Sequence, residues 1–262
     1  MNHLIEQVRQ QQPLIHNITN QVVMNFTANG LYAVGAAPVM AHAKEEVEEM
    51  ARQAGALVLN IGTLSKIQIE AMILAGKAAN QAGVPVVLDP VGVGATPFRT
   101  ASAKQILQEV EIACIRGNAG EIANLAGIEA KVKGVEGVAS IEDDDFARQA
   151  FASLQVPLVI TGAEDILIDN EQTIVITNGD PLLTKITGTG CLLSAVVAAF
   201  IAVHDQVLEA AAAAVSYYGV AAEQAAAGNK YPGSFQVAFL NELYRLEAEE
   251  ISLHQRMTRS SK

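Results

Sequence analysis

The sequence predicts an α/β fold of the doubly wound kind, a mostly parallel sheet with helices on both faces. Three observations predict it. Short apolar runs alternate with longer helical patterns along most of the chain. Most of the runs are rich in Val and Ile and apolar throughout, as expected for strands covered on both faces. Half of the 262 residues are hydrophobic, there is no Trp and aromatics are only 5%, so the core has to be built from Ala, Val, Ile and Leu.

Strands are expected at residues 37–40, 56–61, 85–88, 112–115, 157–161, 165–168 and 173–176. Helices are expected at 22–34, 44–54, 65–81, 101–109, 121–126 and 144–154. The last two strands flank Asp169-Asn170-Glu171 and read as a hairpin at one edge. Beyond Thr187 the pattern turns to long Ala-rich helices at 190–203 and 208–227, then an amphipathic one at 234–250. No Pro/Gly/Ser-rich linker or internal repeat divides the chain, so 1–262 reads as one domain with a polar, frayed tail at 252–262. The acidic run at 142–145 reads as a solvated helix start placed favourably for the helix dipole.

A net charge of −11 repels a phosphate backbone and argues against a nucleic-acid partner. Cys114 and Cys191 read as reduced thiols, and no His/Cys spacing suggests zinc. The first twelve residues are polar and of mixed charge, unlike a signal peptide, and every apolar stretch is interrupted before membrane-spanning length. A cytoplasmic, membrane-free protein is the expectation.

Four segments carry candidate chemistry. In Thr187-Gly188-Thr189-Gly190-Cys191, glycines allow a tight turn into a helix, so successive N–H groups and the helix dipole form an anion hole at Gly188, Thr189 and Gly190. Cys191 in that first turn is placed where its thiolate is favoured, whereas Cys114, inside an apolar strand, reads as core. Asp89-Pro90-Val91-Gly92-Val93-Gly94 follows a strand end, where ligands bind in open parallel sheets; Asp89 reads either as a metal or phosphate site or as a strand terminator. Arg116-Gly117-Asn118-Ala119-Gly120-Glu121 offers a cation, an amide and a carboxylate, and reads either as a phosphate and Mg²⁺ site or as a helix cap at Asn118. His16-Asn17-Ile18-Thr19-Asn20 with Asn25-Phe26-Thr27-Ala28-Asn29-Gly30 crowds amides and hydroxyls at a strand-to-helix junction, for recognition or for capping. His16 reads as a buried, hydrogen-bonded histidine.

These segments, with Gly35-Ala36-Ala37-Pro38-Val39-Met40, resemble in order the hydroxyethylthiazole kinases of thiamine salvage, within the ribokinase-like superfamily. The resemblance covers about the whole chain. Most of that superfamily carries Asp after the Gly-rich turn; Cys191 is similar to the narrower family. The resemblance implies that Cys191 takes the catalytic-base position and that Gly188 and its neighbours touch substrate and form the anion hole. It implies that Asn20 and Met40 line the thiazole pocket, that Arg116 and Thr161 contact ATP, and that Asp89 and Glu121 hold Mg²⁺ partly through water. It implies a homotrimer with active sites between subunits. Met24 is a departure, since it could reshape one wall of the pocket.

The activity so implied is transfer of the γ-phosphoryl of Mg-ATP to the thiazole alcohol, a reaction that needs in-line positioning and charge neutralisation more than covalent chemistry. Rival readings are a hydroxymethylpyrimidine kinase or an ATP-dependent NAD(P)H-hydrate dehydratase, both of which Asp at position 191 would have favoured. A non-catalytic sensor is weighed against by intact metal and base candidates, and a thiol hydrolase by the lack of an evident Cys–His pair.

Overall fold

A computed structural model describes residues 3–128 and 144–261. In chain order the elements are α1 (Leu4–Gln11), β1 (Leu14–Ile18), α2 (Met24–Val34), β2 (Ala37–Val39), α3 (Val47–Gln53), β3 (Ala56–Asn60) and α4 (Lys66–Ala82). Then come β4 (Val86–Asp89), α5 (Pro97–Glu109), β5 (Cys114–Asn118), α6 (Ala119–Ala126), α7 (Asp144–Leu154), β6 (Leu158–Thr161), β7 (Asp165–Ile168) and β8 (Gln172–Ile176). After a short 3₁₀ turn (Pro181–Lys185) follow α8 (Thr189–Ile201), α9 (Val207–Gly228), α10 (Pro232–Arg245), α11 (Ala248–His254) and β9 (Met257–Ser261).

Among the described residues the strands form one sheet in the order β2-β1-β3-β4-β5-β6-β7-β8-β9. Pairing is parallel from β2 through β6 and antiparallel from β6 to β9. Alternate side chains on each strand enter opposite cores, because strand periodicity is two. Val58, Val87, Cys114 and Val159 join the core under α1, α2, α8, α9 and α10. Leu57, Leu59, Leu88, Ile115 and Ile160 join the core under α3 to α7. Helix α8 is buried from Leu192 to Ile201 and lies between the sheet and the helices α2 and α9. An apolar helix with no polar face can only be stable there.

The predicted class stands, and β7 and β8 are antiparallel neighbours as a hairpin requires. The hairpin does not form the edge, because β9 pairs outside β8. Several expectations need correction. The helix expected at 101–109 begins at Pro97, where Thr96 accepts the Arg99 N–H as N-cap and proline fits the first turn. The amphipathic stretch 234–250 is two helices, because Glu247 and Glu250 build a capping box that starts α11 afresh. Leu4–Gln11 is a helix that buries Leu4, Ile5 and Val8 beneath its polar surface. The tail is not frayed: β9 pairs with β8 over Met257–Ser261, and Arg259 binds Glu209 at 2.5 Å. Backbone pairing at a sheet edge holds this segment, and polarity along the sequence does not report it. Of the acidic run, Glu142 and Asp143 lie outside the described residues, and α7 begins at Asp144. Among the described residues no helix is long and apolar enough to cross a membrane.

Candidate active site

The site is assembled at the carboxyl ends of the parallel strands, against the first turn of α8. Gly188 is the N-cap of that helix, at φ 94°, a conformation that favours glycine, and no side chain caps the turn. A Cβ there would also fall 2.7 Å from Val23 Cγ1. The N–H groups of Thr189, Gly190 and Cys191 are thus left at the positive end of the helix dipole. The Thr189 side chain is committed elsewhere: its hydroxyl donates to the Leu183 carbonyl at 2.8 Å, and its own carbonyl accepts from Tyr218 Oη at 2.7 Å. Only its N–H remains for an anion.

Cys191 is half-buried at the third position of α8, and its Sγ accepts from Asn20 Nδ2 at 3.4 Å. The structure corrects the expectation of a favoured thiolate. Burial pushes the thiol up to about 11, with Asp89 next in effect, and the opposing pull of nearby amides and Arg116 is smaller. A low-dielectric pocket that already holds a carboxyl outweighs the helix terminus. Cys114 lies within β5, is fully buried and is pushed up to about 12 by burial alone, as a core thiol is.

Asp89 is the last residue of β4 and pairs in register with Asn60, the last residue of β3. Its Oδ2 accepts from Asn60 Nδ2 at 2.7 Å and from Ser194 Oγ at 2.8 Å. Its Oδ1 is buried without a hydrogen-bond partner. Burial lifts the carboxyl to about 6, Arg116 opposes the rise and Glu121 adds to it. A buried acceptor left unpaired is an acceptor for a cation or its water. Glu121 is differently placed: Oε1 accepts from Gly92 N at 2.8 Å and Oε2 from Asn118 N at 2.9 Å. Asn118 accepts the Glu121 N–H in return, a complete capping box. The cap reading of this segment therefore holds, and Glu121 also pins the loop after Asp89. Among the described residues no three His, Cys, Asp or Glu side chains gather as a metal cage. Two carboxylates of this kind fit Mg²⁺, which keeps waters and takes phosphate oxygens as its remaining ligands.

Arg116 stands inside β5, not beyond it, because the strand runs on to Asn118 and α6 follows with no loop. Its Nη2 donates to Thr161 Oγ1 on the neighbouring β6 at 2.7 Å. A Cβ on Gly190 would meet Arg116 Nη1 at 2.7 Å, so glycine is what lets the guanidinium lie against the first turn of α8. Beyond it opens a cleft of about 560 Å³ lined by Thr161, Asp165, Asn178, Asp180, Leu183 and Tyr218, among others. Its far wall is braced from the C-terminus. Asn178 donates to Glu223 Oε2 at 3.2 Å and accepts from the Arg256 N–H at 2.6 Å, while Glu223 also binds the Gly179 N–H at 2.8 Å.

The structure thus joins Asn20, Cys191 and Asp89 in one cluster, and Arg116, Thr161 and Gly190 in a second beside it. Met40 lies just past β2, the edge strand; His42 Nδ1 donates to its carbonyl, and His42 Nε2 accepts from Thr19 N. His16 is buried, donates from Nε2 to the Ala41 carbonyl at 2.8 Å and is lowered by burial, as the bland reading has it. The sequence reading missed Asn60, Ser194, Asp165 and Asn178. Ser194 stands one turn beyond Cys191 on α8, and Asn60 is a lone amide ending an apolar strand; both signals were there to read.

Residues 5–249 match the sequence model of the Hydroxyethylthiazole kinase family. The chain is similar to the solved structure of a hydroxyethylthiazole kinase protein from Pyrococcus horikoshii OT3, with 42% identity, 98% of each chain covered and a TM-score of 0.91. It shares its fold with a ribokinase-like superfamily protein from Enterococcus faecalis V583, at 12% identity, 95% of each chain and a TM-score of 0.67. It shares it also with the pyridoxal kinase of Staphylococcus aureus, at 15% identity, 95% of this chain and 99% of that one, and a TM-score of 0.64. With the match running over nearly its whole length, the chain belongs to the hydroxyethylthiazole kinase family.

Proposed function

We propose that this chain, a kinase that phosphorylates the hydroxyl of 4-methyl-5-(2-hydroxyethyl)thiazole to the thiazole phosphate of thiamine biosynthesis and salvage, works with Mg-ATP at the centre formed by Cys191, Asp89 and the first turn of α8. The observation that carries the site is convergence. Helix α8 brings together Asp89, held through Ser194 on its Oδ2, the Arg116 guanidinium against Gly190, and the Asn20–Cys191 pair.

Arg116 and Thr161 hold the triphosphate, which lies in the adjoining cleft. The N–H groups of Thr189, Gly190 and Cys191 meet the negative charge of the phosphoryl in flight. Asp89 and Glu121 would hold Mg²⁺ bound with the nucleotide, which would supply neutralisation of phosphate charge; both Glu121 oxygens already accept backbone N–H groups, so its part would be the less direct. Asn20 and Met40 line the thiazole pocket, and Gly188 touches the substrate. Cys191 Sγ accepts a hydrogen bond from the substrate hydroxyl and takes the base position. The hydroxyl oxygen bonds to the γ-phosphorus, the bond to the β,γ-bridging oxygen breaks, and ADP leaves with that electron pair. The hydroxyl proton is released to water, the Cys191 thiol relaying it by giving up its own proton as it accepts the new one.

The whole chain acts as one domain in the cytoplasm. It assembles as a homotrimer with active sites between subunits, a reading supported by apolar side chains left exposed near the substrate end: Val22, two residues past Asn20, at 68% and Ile67 at 69%. A phosphorylation assay over a panel of small alcohols tests the function. Turnover should be highest with the thiazole alcohol; preference for a pyrimidine or pyridoxal alcohol would replace the substrate assignment. Light scattering should give about three times 27.6 kDa, and a fully active monomer would end the shared-site reading.

A further inference from the structure

Four buried side chains link the metal side of the site to the acceptor side. Asn60 and Asp89 end adjacent strands in register, and Asn60 Nδ2 donates to Asp89 Oδ2 at 2.7 Å. Ser194 Oγ donates to the same oxygen at 2.8 Å. Asn60 Oδ1 accepts from Gly62 N at 3.0 Å and from Asn20 Nδ2 at 2.9 Å, and that Asn20 nitrogen also reaches Cys191 Sγ. Ser194 is three residues beyond Cys191, so both stand on one face of α8 and the circuit closes through the helix.

We infer that Asn60 and Ser194 are positioning residues for phosphoryl transfer: together they hold Asp89 by Oδ2, leave its Oδ1 for the cation, and through Asn60 tie that setting to Asn20 and Cys191. The inference rests on the proposed metal role of Asp89. Its basis is donor and acceptor matching. Turning over the Asn60 amide would set its NH₂ against the Gly62 N–H and the Asn20 NH₂, and its oxygen against Asp89, so one orientation is imposed. With both donors on Oδ2, the carboxylate cannot rotate without breaking two buried hydrogen bonds, each to a group with no water to replace it. The hydroxyl of Ser194 has one hydrogen. Its other neighbour, the Gly190 carbonyl, is distant at 3.4 Å, so Asp89 receives it. A role limited to filling the core predicts no link to metal affinity or to the thiazole.

The test measures Mn²⁺ binding in the presence of ADP by electron paramagnetic resonance, beside KM for the thiazole alcohol, in the full chain with Ser194→Ala, Ser194→Thr, Asn60→Asp and Asp89→Asn. Asn60→Asp keeps the acceptor for Gly62 and Asn20 and removes the donor to Asp89. Loss of an outer-shell partner weakens metal binding about ten- to hundredfold. Ser194→Ala should do so with a folded chain by thermal melting, and Ser194→Thr, which keeps the hydroxyl, should restore it. Asn60→Asp should weaken Mn²⁺ and also raise KM for the thiazole; if that variant does not fold, the serine pair decides. Wild-type Mn²⁺ affinity in Asp89→Asn would end the metal reading and this inference with it. Loss in Asp89→Asn, with wild-type affinity in Ser194→Ala, would overturn the inference alone.

Discussion

The acceptor side of the site and the cleft beyond Arg116 are built in opposite ways. At the acceptor side Asn20, Asn60, Asp89 and Ser194 are all buried and bonded to one another, on strands β1, β3 and β4 or just past them and on the central helix. The cleft lies where the sheet changes from parallel to antiparallel pairing. Its far wall depends on Asn178 and Glu223, bound by Arg256 from the approach to β9. One region is set by buried side chains that hydrogen-bond one another. The other is set by an edge strand and by ion pairs open to water, which contribute about 1 kcal/mol or less each. The chemistry of transfer needs the first kind of rigidity, and a nucleotide that must enter and leave suits the second.

The comparison makes substitutions at the acceptor side the most damaging. Cys191→Ala should lower kcat about a hundredfold to ten-thousandfold with a small change in KM, the cost of losing a positioned base. Cys191→Asp should keep substantial activity. Steady-state rates at saturating Mg-ATP check both, and an Asp variant as dead as Ala would point to a structural or covalent role.

The two carboxylates come next. Asp89→Ala should raise the Mg²⁺ concentration needed for half-activity about tenfold or more. Glu121→Ala should raise it less and lower stability by about 1 kcal/mol, because its oxygens serve the capping box and the Gly92 loop. Equal effects on Mg²⁺ dependence would erase the distinction drawn between them.

Alkylation of Cys191 by iodoacetamide offers a sharper reading of its surroundings. The rate should climb as pH rises toward about 11 instead of 9, and Asp89→Asn should move the rise to lower pH, since Asp89 contributes to the shift. A midpoint below 9 would restore the favoured thiolate.

On the cleft side the effects shrink. Arg256→Ala should raise KM for ATP about fivefold at most and leave kcat unchanged, as expected for a half-exposed ion pair. A loss of kcat instead would tie the tail to the acceptor side. The smallest effect concerns Asp165, whose carboxyl burial lifts from 3.8 to about 6. A raised acid leaves stability intact below pH about 4 and lowers it as pH climbs to about 6, beyond which the contribution is flat. Asp165→Asn should therefore gain on the wild type across that window in denaturation midpoints taken from pH 4 to 7. Parallel curves would remove the burial explanation.

What was legible in the sequence follows from period and spacing. Apolar runs such as Val86-Val87-Leu88 have one stable place, a strand covered on both faces, and Asp89 directly after such a run had to stand at a strand end. The Gly-rich entry to α8 was readable because Gly188 needs a backbone angle that other residues resist. Where polarity was the only guide the reading went astray: Leu4–Gln11 hides a buried face in a polar stretch, and the tail gains its order from β8, some eighty residues earlier in the chain. The extent of β5 was misjudged because Arg116-Gly117-Asn118 pairs with β6 despite its composition.

By itself, then, the sequence determined most of the parallel strands and of the helices that cover them, the residue types at the strand ends and the glycine turn, since each depends on neighbours within a few positions. Only the tertiary structure decided how those residues act on one another. The ionisation of Cys191 depends on a carboxyl about a hundred residues away and on the water that packing removes. The free oxygen of Asp89 depends on Asn60 and Ser194, from two other elements, taking its partner oxygen. Desolvation and hydrogen-bond competition act through space among groups that chain order leaves far apart, so no local pattern encodes their outcome.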